Sequence, residues 1–257
     1  MNIVIPYWHK CNNRCVMCTN PIDGLSLEEG GCFDSATLHE CLDKNKMKWH
    51  EVDSVYITGG ETTMRPDFFD SLSDIAESFP FAKISILSNG RRFFYTDFAK
   101  KCLSYPSVNY IIPIHGWNSK SHDKITGVQG SFDQTISGLE NLFSMRQMDQ
   151  EIEVRIIIHK INYKKINKIL DLLLKKFPAV DRLVLVFIEY EGHAIKNLKS
   201  VELSYDKFYP QFDLLEKYLK KFKEIRFYHF PLCAMPKKFW PYMWRTFDAD
   251  EVIFLSK

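Results

Sequence analysis

The first residues that point to chemistry are three cysteines near the start of the chain, in the stretch CNNRCVMC. Cys11, Cys15 and Cys18 have C-x3-C-x2-C spacing, with no fourth cysteine close by. A structural zinc site takes four ligands, whereas three thiolates on a four-iron cluster leave one iron open to a small chelating molecule. The spacing leaves two alternatives: three reduced thiols without a metal, or a zinc site completed by His9 or a distant residue.

Two other short motifs carry groups suited to a polar ligand. In GGE, Gly59 and Gly60 have no side chains and so admit a ligand close to the backbone. The adjacent Glu61 carboxylate can bind an ammonium group through a charge-assisted hydrogen bond. In SNGR, Ser88 and Asn89 offer small polar groups suited to ribose or carboxylate oxygens. Each motif is also an ordinary turn sequence, so neither identifies a site by itself.

The elements that must position these residues are predicted from short apolar runs that alternate with helical patterns. Runs such as VYIT, ISIL and LVLVFI are apolar almost without alternation, which is typical of strands buried on both faces of a parallel sheet. The predicted strands are Asn2–Tyr7, Ser54–Thr58, Lys83–Ser88, Asn109–Ile114, Glu153–His159 and Arg182–Glu189. The predicted helices are Ser35–Lys46, Pro66–Phe79, Thr96–Leu103, one after Gly130, one N-capped by Asn162, and Ser204–Phe222.

Six β/α units predict the α/β class and a partial (β/α)6 TIM-like barrel with parallel strands and a short C-terminal extension. A full eightfold barrel would need two more units. We assign residues 1–223 to the barrel and residues 224–257 to the extension. The cysteines, GGE and SNG follow the first, second and third strands, so they are expected at the same end of the barrel, where α/β active sites are built.

Length and composition limit the class of protein. The 257 residues suffice for one domain of barrel size, and 46% hydrophobic and 26% charged residues are ordinary for a globular protein. The net charge of +2 is too small to favour nucleic acid or a membrane surface. No apolar run reaches the roughly 18 residues of a membrane span, and the N-terminus lacks a signal-peptide pattern. We therefore expect a cytoplasmic protein with reduced cysteines.

The three motifs, in this order on six β/α units, resemble the radical S-adenosylmethionine (SAM) superfamily. The resemblance implies that Cys11, Cys15 and Cys18 hold a [4Fe–4S] cluster. It also implies that SAM chelates the open iron through its amine and carboxylate groups. The expected cofactors are therefore a [4Fe–4S] cluster and S-adenosyl-L-methionine.

The resemblance also implies which residues contact SAM. Met17 would lie near the adenine, where the family commonly has an aromatic or bulky apolar residue. The GGE residues would line the methionine amine, and the SNG residues would lie near the ligand. The residues implied on these grounds are Met17, Gly59, Gly60, Glu61, Ser88 and Asn89.

Two residues on the fifth strand are further candidates for cofactor binding. Arg155 would be a buried cation if it points inward, and the SAM carboxylate would then be a natural partner. An exposed arginine at the start of the strand is the alternative. His159 ends the same strand and would face the pocket. At the end of the fourth strand, Ile114-His115 replaces the serine-containing stretch of many relatives, which puts the ribose contact there in doubt.

Longer segments narrow the resemblance to SPASM-like peptide maturases, and to those of the His-Xaa-Ser system in particular. SHDKITGVQGSFDQTISGLENL (Ser121–Leu142) resembles the H-D-x-I-x-G-x-x-G-S-F segment of peptide-modifying radical enzymes. EVRIIIHKINY and FPLCAMPKKFWPYM (Phe230–Met243) resemble the His-Xaa-Ser system maturases, which act on ribosomally made peptides. Related maturases hold an auxiliary cluster with a cysteine-rich C-terminal segment. No cysteine follows Cys233 here, so residues 224–257 are either a truncated auxiliary-cluster region or a tail that has lost its cluster.

The resemblance implies an enzyme that reductively cleaves SAM to a 5′-deoxyadenosyl radical, which abstracts hydrogen from a peptide substrate. An external electron donor is expected. Met1 directly precedes the first strand, which leaves no room for an N-terminal recognition domain, so a separate recognition protein is expected too. A radical enzyme acting on a small molecule is the second hypothesis. A non-catalytic iron–sulfur or zinc protein is the third, and Glu61 and a pocket-facing Arg155 argue against it because a simple binding module needs neither.

Overall fold

The protein is built around one sheet of parallel strands, as seen in a computed structural model that describes residues 1–20, 35–44, 52–106, 108–244 and 252–254. The strand order is β7-β6-β5-β4-β3-β2-β1-β8, so β1 to β7 lie side by side in chain order, as in a partial TIM-like barrel. The predicted fold class is confirmed. The strands are β1 Asn2–Trp8, β2 Ser54–Gly59, β3 Lys83–Leu87, β4 Val108–Pro113, β5 Ile152–Ile158, β6 Arg182–Phe187, β7 Ile225–Tyr228 and β8 Val252–Phe254.

Helices connect successive strands. In the described parts of the chain, none of them has the length and apolar character needed to cross a bilayer. The helices are α1 Ser35–Lys44, α2 Phe68–Ser78, α3 Thr96–Leu103, α4 Ser119–Thr126, α5 Ser131–Met145 and α6 Ile166–Lys176, followed before β7 by the short helices α7 Gly192–Lys196, α8 Leu198–Val201, α9 Tyr205–Phe208 and α10 Gln211–Glu216.

Two helix predictions differ from the structure. The predicted helix Ser204–Phe222 is divided into α9 and α10, with Pro210 between them, because proline cannot donate the backbone hydrogen bond that a continuous helix needs. Asn162 stands at the start of a short 3-10 turn, Tyr163–Lys165, that leads into α6, but its side chain makes no capping hydrogen bond. Its side chain donates to the carbonyl of Ile157 (2.8 Å) and accepts from the backbone N–H of His159 (3.0 Å), so it secures the end of β5 instead.

The strands present two chemically different faces. On the outer face, alternate aliphatic residues such as Ile57, Ile86 and Ile156 are buried in the core with the apolar sides of the helices. The inner face carries polar register partners near the amino ends of the strands, where Tyr56 lies beside Ser85 and Ser85 beside Asn109. Apolar burial therefore holds the helices on the outside, and the interior of the barrel is polar at that end.

Residues after position 223 continue the same sheet. Strand β7 pairs with β6, and β8 pairs with β1 at the opposite edge. Between them, Phe239 is buried against Phe227, with ring centroids 5.5 Å apart, and the backbone N–H of Trp244 donates to the Phe227 carbonyl (2.8 Å). The assigned boundary between residues 223 and 224 thus falls directly before a strand, and the C-terminal extension covers parts of both edges of the sheet.

Candidate functional site

The three cysteines lie on the loop that follows β1, at the C-terminal end of the strands; we call residues 9–20 the cysteine loop. All three are free thiols, with Cys11 exposed and Cys15 and Cys18 half-buried. Burial raises the pKa of the Cys11 thiol to about 11 and also raises those of Cys15 and Cys18, and the charges of its two neighbours add to the rise at Cys15. A metal that binds these three thiols must displace their protons.

The GGE motif holds the beginning of the cysteine loop. The N–H of Gly60 donates to the carbonyl of Trp8 (2.5 Å) and that of Glu61 to the carbonyl of Lys10 (2.8 Å). A Cβ atom on Gly60 would lie 2.4 Å from the Lys10 oxygen, and one on Gly59 would lie 2.2 Å from the Trp8 oxygen. The close approach predicted for a ligand is thus made by the backbone of Trp8 at the end of β1 and of Lys10 in the loop, and contact of these glycines with the methionine amine stays a prediction.

The middle of the cysteine loop rests on the end of α4. The N–H of Arg14 donates to the carbonyl of Thr126 (2.7 Å), and the N–H of Val16 donates to that of Ile125 (2.9 Å). Gly127 has a left-handed backbone (φ +68°), and a Cβ there would lie 2.9 Å from the Arg14 oxygen. The segment that resembles peptide-modifying enzymes therefore has a definite structural task, which is to support the loop that bears the cysteines.

Asp123 fixes that supporting segment. Its carboxylate accepts hydrogen bonds from the N–H groups of Gly130 (2.7 Å) and Phe132 (2.8 Å) and from the hydroxyl of Ser131 (2.8 Å). A carboxylate at the beginning of α5 satisfies backbone donors that have no partner within the helix. Asp123 therefore ties α4 to α5 and holds the platform for the loop in place.

Arg91, Asn12 and Asn13 also hold the loop in place, and the sequence analysis had given them no role. The Arg91 guanidinium donates to the carbonyl of Asn12 (2.6 Å) and to the side-chain oxygen of Asn13 (2.9 Å). The amide of Asn89 donates to the side chain of Asn12 (2.6 Å) and lies 3.9 Å from the sulfur of Cys11. The sequence did contain a sign of this role, because Asn12 and Asn13 stand between two cysteines and Arg91 directly follows SNG.

Glu61 joins the ends of β2 and β3. The side chain is fully buried, and its carboxylate accepts from the hydroxyl of Ser88 (2.7 Å), the N–H of Asn89 (2.6 Å) and the N–H of Thr63 (3.2 Å). Burial raises the pKa of Glu61, while these hydrogen bonds oppose the rise. The structure therefore brings the predicted residues Glu61, Ser88 and Asn89 together, beside Cys11.

Three other predicted or noted residues are buried around the same end of the barrel. Met17 is buried in the core. His159 is also buried, with Nδ1 accepting from the N–H of Ile161 (3.4 Å) and Nε2 without a hydrogen-bond partner in the described residues. His115 is buried too, and its Nδ1 lacks a partner there as well. Burial lowers the pKa of both histidines, so at neutral pH each ring offers an uncharged nitrogen at the ends of β4 and β5.

Arg155 lies on the inner face but already has a partner. Its Nε donates to the carboxylate of Glu153 at 2.5 Å, and Glu153 also accepts from Arg182 at 3.3 Å. Residues two apart on a strand point to the same face, which explains the pairing with Glu153. The inward orientation agrees with what the sequence suggested, and contact with the SAM carboxylate stays a prediction.

A polar cavity of about 710 Å³ opens at the other end of the barrel. Its lining includes Ser85 and Asn109 from the inner face, the ion pair of Glu153 and Arg182, and Trp244 from the C-terminal extension. The cavity is large enough for part of a substrate. The opening of the cavity lies at the amino ends of the strands, opposite the cysteine loop.

The donor set suits an iron–sulfur cluster. In the described ranges, no group of three cysteine, histidine or acidic side chains was found that could hold one metal ion. In a cluster the cysteine thiolates bind different irons, so three neighbouring thiols on one loop are the donors that it requires. Fold and site together define a class: a parallel α/β partial barrel with a three-cysteine loop at the C-terminal end of its strands.

Residues 5–173 match the Radical SAM superfamily, and the chain belongs to this family. The cofactors that this family membership assigns to it are a [4Fe–4S] cluster and S-adenosylmethionine. The predicted superfamily is thereby confirmed.

Curated relatives are similar over 60–64% of this chain. A probable GTP 3′,8-cyclase of Saccharolobus islandicus is 25% identical over 165 residues, which cover 64% of this chain and 50% of the relative. The mycofactocin maturase MftC of Mycobacterium ulcerans is 29% identical over 153 residues, covering 60% of this chain and 39% of the relative. The chain thus spans about half the length, or less, of the curated relatives that it matches.

Solved structures share the fold. Streptococcus suis SuiB bound to its precursor peptide SuiA has a TM-score of 0.64 at 15% identity, covering 86% of this chain and 46% of SuiB. The enzyme anSMEcpe with bound AdoMet has a TM-score of 0.65 at 18% identity, covering 88% of this chain and 63% of the other. At these identities the likeness shows the fold alone.

Proposed function

We propose that the protein modifies a ribosomally made peptide, with Cys11, Cys15 and Cys18 as the ligands of its [4Fe–4S] cluster. The observation that carries the cluster assignment is the cysteine loop itself, which bears three free thiols, accepts a backbone hydrogen bond from GGE and donates two to α4. When bound and reduced by one electron, the cluster and SAM supply a 5′-deoxyadenosyl radical that abstracts a hydrogen atom.

The chain's own residues hold and orient SAM. The buried Glu61 carboxylate, which already accepts four hydrogen bonds, would receive the methionine ammonium group in exchange for one of them, next to Gly59 and Gly60. Ser88 and Asn89 hold that carboxylate in position. The uncharged ring of His159 would meet the adenosyl portion, and Met17 would pack on the adenine.

Arg155 has a conditional role in the same scheme. It would bind the SAM carboxylate only by sharing its guanidinium with Glu153, which is its partner in the structure at 2.5 Å. An arginine has five N–H donors, so it can serve two carboxylates at once. Replacement of Arg155 by lysine would remove that capacity while keeping the charge.

A peptide substrate is supported by two independent similarities. SuiB, a structural neighbour, is bound to its precursor peptide, and the sequence relative MftC is a mycofactocin maturase. The second candidate, a small-molecule substrate, is favoured by the similarity to probable GTP 3′,8-cyclases.

An anaerobic assay tests the cluster and the radical chemistry. The protein is reconstituted with iron and sulfide, reduced with dithionite and supplied with SAM, and 5′-deoxyadenosine is quantified. Cys15→Ala should lose both bound iron and product. The matched control Cys233→Ala, at an exposed cysteine outside the cysteine loop, should retain both. Zinc binding in place of iron, with no SAM cleavage, would overturn the proposal.

A second assay separates the two substrate classes. The active protein is incubated with GTP in one reaction and with the peptides encoded beside its gene in another. A SAM-dependent mass change in a peptide supports the peptide proposal. A new nucleotide product from GTP, with all peptides unchanged, would replace it by the small-molecule alternative.

A further inference from the structure

The segment after β6 contacts the second half of the cysteine loop. The N–H of Ala194, in α7, donates to the carbonyl of Cys18 (3.2 Å). Gly192 begins α7 with a left-handed backbone (φ +51°), and a Cβ atom there would overlap the carbonyl oxygens of Thr19 and Asn20. Two backbone contacts from α7 therefore reach the third cysteine and the two residues that follow it.

Asn197, which joins α7 to α8, adds a side-chain contact to the same half of the loop. Its amide NH2 donates to the carbonyl of Val16 (3.1 Å) and to that of His193 in α7 (3.0 Å). The N–H of Val16 donates in turn to the carbonyl of Ile125 in α4 (2.9 Å). Both backbone polar groups of Val16 are therefore anchored, one on α4 and the other on a side chain 181 residues away in the sequence.

Val16 lies between the second and third cysteines of the loop. The N–H of Cys18 donates to the carbonyl of Cys15 (3.2 Å), which closes a turn with Val16 inside it. Both cysteines are half-buried, so the direction of their thiols depends on how this turn is held. Cys11 is held from a different side, by Arg91, which bonds to the two residues that follow it.

We propose that Asn197 is a positioning residue for the cluster, because it fixes the turn that carries Cys15 and Cys18. The inference rests on the proposed function, since that function assigns both cysteines to the cluster. A half-buried carbonyl that loses its hydrogen-bond donor must find another partner, so the Val16 peptide would shift without Asn197. The two thiols would then be held less firmly in the orientation that one shared cluster requires.

Replacement of the amide by a carboxylate of the same shape tests this role. Asn197→Asp removes both donors and turns an acceptor oxygen towards two carbonyls. Asn197→Ala removes the donors without that repulsion, and it is used if the first variant does not fold. Gln150→Glu is the matched control, since the Gln150 amide also donates to two backbone carbonyls, those of Leu103 (3.2 Å) and Tyr105 (2.9 Å), but lies just before β5 at the amino ends of the strands.

The first measurement uses the metal-free protein and does not depend on a cluster. Each protein is treated with N-ethylmaleimide, and the alkylation rates of Cys11, Cys15 and Cys18 are followed by peptide mass spectrometry. Asn197→Asp should raise the rates at Cys15 and Cys18 about tenfold, because the loss of two hydrogen bonds makes local opening of the turn more frequent. The rate at Cys11 should not change, and Gln150→Glu should leave all three rates unchanged.

The second measurement follows iron in the reconstituted protein. Release of iron to an excess of the chelator bathophenanthroline should be about tenfold faster in Asn197→Asp than in the wild type, because residues that orient metal ligands contribute about 10–100-fold to metal affinity. Asn197→Ala should give a smaller increase. Gln150→Glu should release iron at the wild-type rate, although it lowers the free energy of unfolding in urea.

Three results would overturn the positioning role of Asn197. They are unchanged alkylation and iron release in Asn197→Asp, equal changes in Gln150→Glu, and a change in only one of the two measurements. Failure of the proposed function has a different signature. A wild-type protein that assembles no four-iron cluster on reconstitution would contradict the cluster assignment, while the alkylation rates would still report whether Asn197 holds the turn.

Discussion

The contact between Gly60 and the cysteine loop offers the sharpest test of how the fold builds the site. In Gly60→Ala, the added Cβ would lie 2.4 Å from the Lys10 carbonyl oxygen and 2.7 Å from that of His9. Ordinary contact begins near 3.4 Å, so the beginning of the loop must move by about 1 Å. The Glu61 N–H bond to Lys10 resists this movement.

The expected cost follows from the nature of the obstacle. Overpacking in a protein interior costs about 1–3 kcal/mol, and we expect about 2–3 kcal/mol for Gly60→Ala because backbone atoms are in the way and cannot change rotamer. The loop bears the cysteines directly after Lys10, so iron bound after reconstitution should fall as well. Urea unfolding gives the free energy of unfolding, and iron and sulfide analysis gives the cluster content.

Gly130→Ala is the matched control. Gly130 has a left-handed backbone (φ +79°) but no atom within 4 Å of an added Cβ. Its replacement should therefore cost about 1–2 kcal/mol from backbone strain alone and leave the iron content unchanged. A Gly60→Ala protein with wild-type stability and full iron would refute the reasoning, because it would show that the loop is not pressed against GGE.

Three further predictions concern residues that support the site. Glu61→Gln should lower the free energy of unfolding by about 2–3 kcal/mol, because its amide NH2 would face donors that now bond to a buried carboxylate; an unchanged urea midpoint would contradict this. Asp123→Ala should lower the free energy of unfolding by about 1–2 kcal/mol because α5 loses its cap, and the iron content should fall because the platform under the cysteine loop loosens. Full iron content at reduced stability would show that Asp123 stabilises α5 without supporting the loop. Burial lowers the pKa of His122 and His159 to about 4, below the unfolded value near 6.5, so protonation favours the unfolded state. Stability should thus fall between about pH 6.5 and pH 4, by on the order of 2 kcal/mol per histidine; His159→Gln should flatten that slope, and an identical slope would show that this ring is not buried neutral.

Much of the fold could be predicted from local sequence. The β-strands were predictable from apolar runs. The predicted second strand, Ser54–Thr58, differs from the observed β2 by one residue. The helix over Thr96–Leu103 was predicted with both ends correct. Such elements are determined by propensity and burial pattern within a short window. The prediction of one helix over Ser204–Phe222 was wrong because Pro210 interrupts it, although the apolar spacing continues past the proline.

Part of the site was predictable because the C-terminal ends of parallel strands lie at the same end of the sheet. Cysteines after β1, GGE after β2 and SNG after β3 must meet at the C-terminal end of a parallel sheet, and the structure brings Glu61, Ser88 and Asn89 together beside Cys11. Superfamily membership was also recognisable, because three weak motifs in a fixed order are specific in combination.

The roles of several residues were decided only by the tertiary structure. Gly59 and Gly60 make room for the backbone of β1 and the cysteine loop, which no local pattern distinguishes from room for a ligand. Arg155 is paired with Glu153, and Asp123 organises the platform under the loop. Strand β8 pairs with β1 across some 250 residues of sequence. The physical reason is common to all of these: a sequence pattern fixes which residues can interact, but which of them do so over long range depends on the path of the folded chain.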